Sequence, residues 1–532
     1  MNANQTPTPP TRRRRAGLLR AMGAAVTGLA AAAAAVGAGE LAAALTGPDS
    51  APVIAVGSAA IDLTPTPLKE YAVRTFGTHD KPVLLTGIYL TMAALAALAG
   101  LIAARHRRTG AALFLLFGAL GTWAALSRPT ATASHALPSL AAAAVGAATL
   151  LFLTSRLPAA APEIDPSPVS PAEPPRPARR TFLLATTGTF AIAAVAGYGG
   201  RRLADSRSDV SAARAAIRLP APPVPARPIP ASAHPAVPGL PGFRTATDDF
   251  YRVDTALTLP RIDPREWTLR VRGLVDHPLL LSFDELLRRP LTELDHTLSC
   301  VSNEVGGPYV STTRWLGASL PDLLRQAGVR AGADQLVGRS SEGMSIGTPL
   351  AAVLDGRTAL LAVAMDGEPL PLAHGFPCRT VVPGLYGYTS ATKWLVDLEV
   401  TTFAAYDPYW VRRGWDRTGL VRTASRIDVP APFARVPAGE VTVAGTAWAT
   451  HRGIAAVEVR VDGGPWAEAT LAADAGPDLW RQWSYQWSNA RPGTHRLEVR
   501  ATDATGAVQP EARAAPFPSG ATGWHSTVVT VT

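Results

Sequence analysis

The pattern of apolar and polar positions divides the chain in two. Up to about Gly200, five apolar runs stand between basic or proline-containing breaks, at about Ala21–Leu45, Pro82–Ala104, Ala111–Leu126, Leu137–Leu153 and Phe182–Gly200. Roughly 20 apolar residues in helical form span a bilayer core, so these runs predict five membrane-crossing helices over residues 1–205, the third and fourth short for a bilayer. From about Thr245 the pattern turns globular. Trp267-Thr-Leu-Arg-Val-Arg-Gly273 alternates like a strand, Ser282-Phe-Asp-Glu-Leu-Leu-Arg288 reads as a capped short helix, and Leu320-Pro-Asp-Leu-Leu-Arg-Gln-Ala-Gly328 as a helix stopped by glycine. Beyond Pro430 short alternating runs recur at Glu440–Gly445, Val457–Asp462, Trp480–Trp487 and His495–Thr502, with a turn at Asp462-Gly-Gly464, which predicts an immunoglobulin-like β-sandwich. The divisions expected are an anchor over 1–205, a Pro/Ala-rich linker over 206–243, a globular domain over 244–428 and the sandwich over 429–532. Within the linker, the run from Ile217-Arg-Leu-Pro-Ala-Pro-Pro-Val-Pro to residue 242 reads as a semi-rigid tether, because dense proline favours extended polyproline geometry.

Charge changes this picture by orienting it. The formal net charge is +9, but arginine collects beside the apolar runs: Arg12 to Arg15, Arg105 with Arg107 and Arg108, then Arg176, Arg179 and Arg180. Basic residues flanking spans face the cytoplasm, so five crossings leave everything after Gly200 outside, with residues 158–178 as a cytoplasmic loop. No basic face interleaved with aromatics appears, and nucleic acid is not an expected partner; membrane lipid is. Arg179-Arg180-Thr181-Phe182-Leu183 resembles a twin-arginine export signal set inside the chain, which a translocase for folded domains reads, although two arginines also simply obey the positive-inside rule. Glu40, near the outer end of the first run, carries either a proton or quinone role or plain solvation. The spans offer no facing pair of histidines, His135 standing near a span end, and there is no CxxC motif. Haem and iron–sulfur clusters are therefore not expected, and electrons must pass to another subunit or carrier.

The two cysteines of the chain are Cys300 and Cys378. Cys300 lies in Leu298-Ser-Cys-Val-Ser-Asn-Glu-Val-Gly-Gly307, a polar, glycine-rich stretch suited to a turn at a pocket wall. Taken alone it reads as a small buried hydrophobe, as half of a disulfide with Cys378, or as a metal ligand. Together with Phe376-Pro-Cys-Arg-Thr-Val-Val-Pro-Gly-Leu-Tyr-Gly387 and Lys393-Trp394, this stretch resembles the molybdopterin-binding core of the sulfite oxidase family, over roughly Asp248 to Pro430.

That resemblance implies a mixed α+β domain, a molybdopterin cofactor and a molybdenum-binding thiolate at Cys300. A molybdopterin brings a dithiolene, a pterin rich in donors and acceptors, and a phosphate, so the protein must add a thiolate, hydrogen bonds and positive charge. By resemblance Arg379 meets the phosphate, Lys393 and Thr392 lie in the pterin-binding turn, and His374 bonds the cofactor. Asp248, Tyr251 and Arg252 match an early segment that touches the pterin in the periplasmic methionine sulfoxide reductase branch, and Ser340 a cofactor-touching threonine there. Cys378 reads as packing. Two departures concern the substrate: Asn303-Glu304-Val305 stands where sulfite oxidases place an anion-binding arginine, and Trp415 stands where they carry a tyrosine over the metal. A small neutral sulfoxide-like substrate fits this better than a dianion. The C-terminal segment looks like the family's dimerisation domain, which implies a homodimer. Two rival readings stay open: a sulfite dehydrogenase, and a non-catalytic exported binding or adhesion protein with a degenerate pocket.

Overall fold

The apolar runs all fold as helices, the first and last of which extend past their runs, to Pro10 and to Arg207. The computed structural model describes residues 10–76, 80–128, 131–157 and 178–532; the loop expected over 158–178 lies outside these up to residue 177. The chain forms two units, the first Met1–Asp209 with Thr255–Thr258, the second Val210–Asp254 with Leu259–Thr532.

The first unit holds α1 (Pro10–Thr46), α2 (Pro52–Leu63), α3 (Thr66–Phe76), α4 (Asp80–Ala103), α5 (Arg107–Leu126), α6 (Leu137–Thr154) and α7 (Ala178–Arg207). Among the described residues five helices are long and apolar enough to cross a membrane, at Gly17–Thr46, Lys81–Ala103, Arg107–Leu126, Ala133–Thr154 and Arg180–Ala216. The apolar α2 is too short to span and escapes a span-length reading. Helix α1 is the hub, packed on α4, α6 and α7. Small residues permit this: a Cβ on Gly28 would lie 1.9 Å from the Ala96 carbonyl oxygen of α4. Glu40, buried near the end of α1, is paired with Arg201 of α7 at 3.0 Å. His135 caps its own turn, its Nδ1 accepting from the Thr132 amide at 2.9 Å.

In the second unit, β1 (Thr268–Gly273), β2 (Leu279–Ser282), β3 (Leu291–Ser299), β4 (Val310–Ser319), β5 (Gln335–Ser340), β6 (Ser345–Pro349), β7 (Leu360–Met365), β8 (Glu368–Pro369), β9 (Arg379–Val381) and β10 (Leu395–Thr401) form two sheets, the first mixed and the second antiparallel. One has the order β2-β1-β10-β5-β6; the other runs β3-β4-β7-β8, with β9 on β7. The short helices obey the sequence signals. Ser282 and Glu285 close a reciprocal cap, and Gly328 ends Leu320–Ala327 in the left-handed conformation.

Strands β11 (Ala424–Val429), β12 (Arg435–Val436), β13 (Gly439–Trp448), β14 (Ile454–Val461), β15 (Ala467–Glu468), β16 (Thr470–Leu471), β17 (Arg481–Ala490), β18 (Gly493–Asp503) and β19 (His525–Val531) form a two-sheet sandwich, ordered β11-β13-β17-β16 and β12-β19-β18-β14-β15. Its core centres on Val443, Val457, Trp483, Leu497 and Val529. Because β11 pairs with β13, the sandwich begins at Ala424.

The expectation of a tether over 217–242 is corrected. This segment is extended but laid on the rest of its unit: Glu293 N donates to Val224 O at 3.0 Å, Gln482 Nε2 to Pro241 O at 2.8 Å, and Ala233 is fully buried. Proline supplies the extended geometry, while Ile217, Leu219 and Ala233 supply apolar side chains worth burying, which a free tether would leave in water.

Candidate cofactor site

Strand β3 pairs along its length with β4 and delivers Cys300 just past its end. There the chain folds into a closed turn. Cys300 N donates to Tyr309 O at 2.9 Å, Asn303 N to Cys300 O at 3.1 Å, and Tyr309 N to Asn303 Oδ1 at 2.8 Å. Cys300 and Cys378 are both free and both buried, so no disulfide joins them. They differ in setting. Cys378 belongs to the apolar core, where burial drives its thiol pKa far up. Cys300 is also raised by burial, but hydrogen bonds at Ser302 and the charge of Lys393 pull the other way.

Around it gather more cations than anions. Arg379, at the start of β9, is 2% exposed, and its guanidinium donates to the carbonyls of His374 (3.1 Å) and Thr380 (3.5 Å). Among the described residues no carboxylate pairs with it; the face of Trp315 lies 4.9 Å away. Burial pushes it down to about 10. Lys393 Nζ donates to Asp254 Oδ2 at 2.9 Å and to Ala373 O at 3.0 Å, and burial lowers it to about 8. Arg252 forks onto the same carboxylate at 2.8 and 3.1 Å. Lys393 and Arg252 thus share Asp254, while Arg379 is buried in the same group with no carboxylate of its own among the described residues. A dry guanidinium so placed calls for an anionic guest.

Backbone geometry makes the convergence possible. At Gly375, φ is +105°, and a Cβ would lie 3.0 Å from Lys393 Cα and 3.2 Å from Arg379 Cβ, so only glycine lets these two segments meet. Trp394 takes a positive φ of 48° and ties its indole to Leu372 O at 2.8 Å, which fixes the lysine before it.

His374 is buried and held neutral, down to about 3, by burial and then by Lys393, Arg379 and Arg252. Its Nδ1 has no hydrogen-bond partner among the described residues. Tyr251 stacks on Phe250 at 5.5 Å, and burial and Cys300 raise its phenol well above the ordinary range. Thr392 N donates to Thr380 Oγ1 at 2.8 Å and locks the turn before Lys393. Ser340 Oγ accepts from Met344 N at 3.1 Å, while Ser341 N binds Trp394 O at 2.9 Å, so this hairpin buttresses the turn. Asp248 is exposed on a 3-10 turn, outside the buried group. The carboxylate that does serve the cations is Asp254, six residues on in the same charged segment, which sequence reasoning passed over.

Trp415 is 5% exposed in a cage of Tyr388, Trp410 and Phe517, with ring centroids at 5.7, 6.2 and 5.4 Å, and its Nε1 has no hydrogen-bond partner among the described residues. It shares an apolar cluster with Val301 and Tyr386 beside the cysteine. A small cavity behind the cysteine turn is lined by Ser299, Asn303, Glu304, Tyr386, Gln509 and Thr522, among others.

The site fits a molybdopterin: an unpaired buried guanidinium suits a phosphate, an orphan imidazole nitrogen suits a pterin edge, and a free buried thiol suits a thiophilic metal. Among the described residues no three His, Cys, Asp or Glu side chains converge into a cage, so the protein's offer to a metal is a single sulfur.

Comparison with known proteins agrees. Residues 256–410 match the oxidoreductase molybdopterin binding domain, and residues 425–499 a bacterial Ig domain. Mitochondrial sulfite oxidase of Mus musculus is 36% identical over 263 residues, 41% of this chain and 47% of that protein, so the chain spans about half the length of such curated relatives. The uncharacterized oxidoreductase YuiH of Bacillus subtilis is 38% identical over 157 residues, 30% of this chain and 76% of its own. Among solved structures, the sulfane dehydrogenase SoxCD of Paracoccus pantotrophus aligns at 24% identity and a TM-score of 0.48, covering 55% of this chain and 84% of that one.

Proposed function

Since the chain belongs to the sulfite oxidase family of molybdopterin-binding oxidoreductases, we propose that it carries out two-electron oxygen-atom transfer at a molybdenum centre bound by Cys300, held outside the cytoplasmic membrane by its five apolar helices. The observation that carries this reading is the free buried thiol of Cys300 near Lys393, with Arg379 buried close by and paired with no carboxylate among the described residues.

The bound cofactor supplies the two-electron couple and the place where substrate oxygen is exchanged. The chain's residues do the rest. Cys300 gives its sulfur as thiolate, metal binding replacing the proton that burial otherwise keeps there. Arg379 takes the cofactor phosphate, and Lys393 and Arg252, already anchored on Asp254, turn their remaining charge to it. His374 stays neutral and offers Nδ1 to the pterin, with Tyr251 and Thr392 as further polar contacts and Ser340 and Asp248 at the rim. Trp415 presents an unsatisfied N–H to a substrate oxygen in a pocket that its aromatic cage keeps dry.

A neutral sulfoxide suits this pocket: its oxygen leaves as water while two electrons and two protons are consumed, the electrons coming from a separate carrier. Glu304, exposed on the cysteine turn, disfavours a dianion. Likeness to proteins named sulfite oxidase favours a second reading, sulfite oxidation, with electrons flowing the other way. A non-catalytic scaffold gains no support from buried, unpaired Arg379, which costs stability unless an anion binds. The sandwich is read as the site of homodimer contact, and the arginines beside the apolar helices orient the anchor. Metal analysis with paired assays tests the reading: one molybdenum per chain, lost in Cys300→Ala, with sulfoxide reduction exceeding sulfite oxidation. A metal-free parent overturns it, and the reverse preference overturns the substrate assignment.

A further inference from the structure

The Val305-Gly306-Gly307 end of the cysteine turn is not explained by cofactor binding, and the sandwich accounts for it. Gly306 has φ +79°, and a Cβ there would lie 2.2 Å from His525 Cδ2 and 2.4 Å from Nε2, so the imidazole of β19 rests directly on the glycine. That ring is fixed from behind, since Ile427 N donates to its Nδ1 at 3.0 Å. One residue on, Arg426 Nη1 of β11 donates to Gly307 O at 2.8 Å, while its Nε donates to Asp428 at 2.6 Å and Asp428 in turn accepts from Thr446 at 3.1 Å. The strand that delivers the cysteine is held by the same domain. Thr297 N donates to Asp478 O at 3.0 Å, and Trp480 N to Thr297 Oγ1 at 2.8 Å, which covers the open edge of β3.

We propose that the immunoglobulin-like domain is a working part of the metal site, with Arg426 and His525 as positioning residues that fix the turn carrying the Cys300 sulfur. The inference rests on Cys300 being the metal ligand, and it gives the sandwich a role within one chain, separate from any contact between copies. A sulfur held at the end of a ten-residue turn keeps its direction only if both limbs are fixed. The β3–β4 pairing anchors both ends of the turn up to Ser299 and Val310, and the clasp fixes its interior at Gly306 and Gly307.

Two substitutions separate positioning from folding. Arg426→Lys keeps a cation for Asp428 but cannot fork to Gly307 O as well. His525→Asn keeps an acceptor for Ile427 N and removes the ring from Gly306. In the full chain in detergent, hydrogen exchange is measured across residues 298–310, together with molybdenum content, the Mo(V) resonance and turnover of dimethyl sulfoxide. Loss of the Arg426 hydrogen bond to Gly307 O in one variant, and of the ring packed on Gly306 in the other, releases the turn, so its amides exchange about ten-fold faster in each. Molybdenum content holds, the Mo(V) g-values shift, and kcat falls about ten-fold with KM little changed. Unchanged exchange in both variants overturns the clasp; faster exchange with an unaltered resonance and kcat reduces it to a structural contact and overturns the positioning role. A parent chain without molybdenum instead refutes the metal reading, and the exchange data still decide whether the clasp exists.

Discussion

Lys393 and Asp254 meet at 2.9 Å, and this pair is the hinge of the buried charge group, because Arg252 shares the same carboxylate and Arg379 has none. Removing Asp254 takes from Lys393 and Arg252 the carboxylate they share, with Arg379 close by. Asp254→Asn is expected to destabilise the cofactor-free protein by about 3 kcal/mol, the cost of breaking a buried pair. Added inorganic phosphate should restore more stability to this variant than to the parent, as thermal unfolding against phosphate concentration will show.

Arg379 has the opposite sign. A buried guanidinium bonded to two carbonyls and no carboxylate is a cost accepted for a ligand. Arg379→Leu should stabilise the cofactor-free chain by about 1–3 kcal/mol while abolishing pterin retention. Denaturant unfolding and pterin fluorescence of the released cofactor check the two halves independently.

Gly375 admits no side chain. With φ at +105° and Lys393 and Arg379 against it, Gly375→Ala adds backbone strain and contact, about 1–3 kcal/mol. Lys393 and Arg379 are pushed apart, so cofactor content should fall more steeply than stability; both are measured on the same preparation.

Acid should weaken the cofactor-free fold for a traceable reason. His374 is held down to about 3 and His296 to about 4, from 6.5. Between pH 6.5 and those values the unfolded chain binds protons that the folded chain refuses, so stability falls as pH drops through that window. His374 alone contributes about 3 kcal/mol of this loss by pH 4, and His374→Gln should flatten the corresponding part of a Tm-against-pH curve. Lys393 works at the other end: lowered from 10.5 to about 8, it makes stability rise as pH climbs between those values.

Local signals carried most of the fold. The span lengths, the Ser282 and Glu285 cap, the Gly328 stop and the alternating sandwich strands are all written in contiguous stretches of sequence, where composition, periodicity and capping act. Cys300, Arg379 and Lys393 stood out because motif context surrounds them. What stayed hidden depends on distant partners. Asp254 looked like one more acid in a charged segment until Lys393 folded onto it, and Asp248 attracted the attention instead. Proline density reported the extended shape of 217–242 but not the surface it lies on. Gly306 reads as a turn glycine, and only the fold brings His525 onto it.

The central claim is that one protein sulfur binds molybdenum carried on a pterin. X-ray absorption at the molybdenum edge of the purified chain, parent against Cys300→Ser, tests it most directly. A molybdenum signal in the parent and one fewer sulfur neighbour in the variant are expected; an absent signal, or an unchanged sulfur count, refutes Cys300 as the ligand.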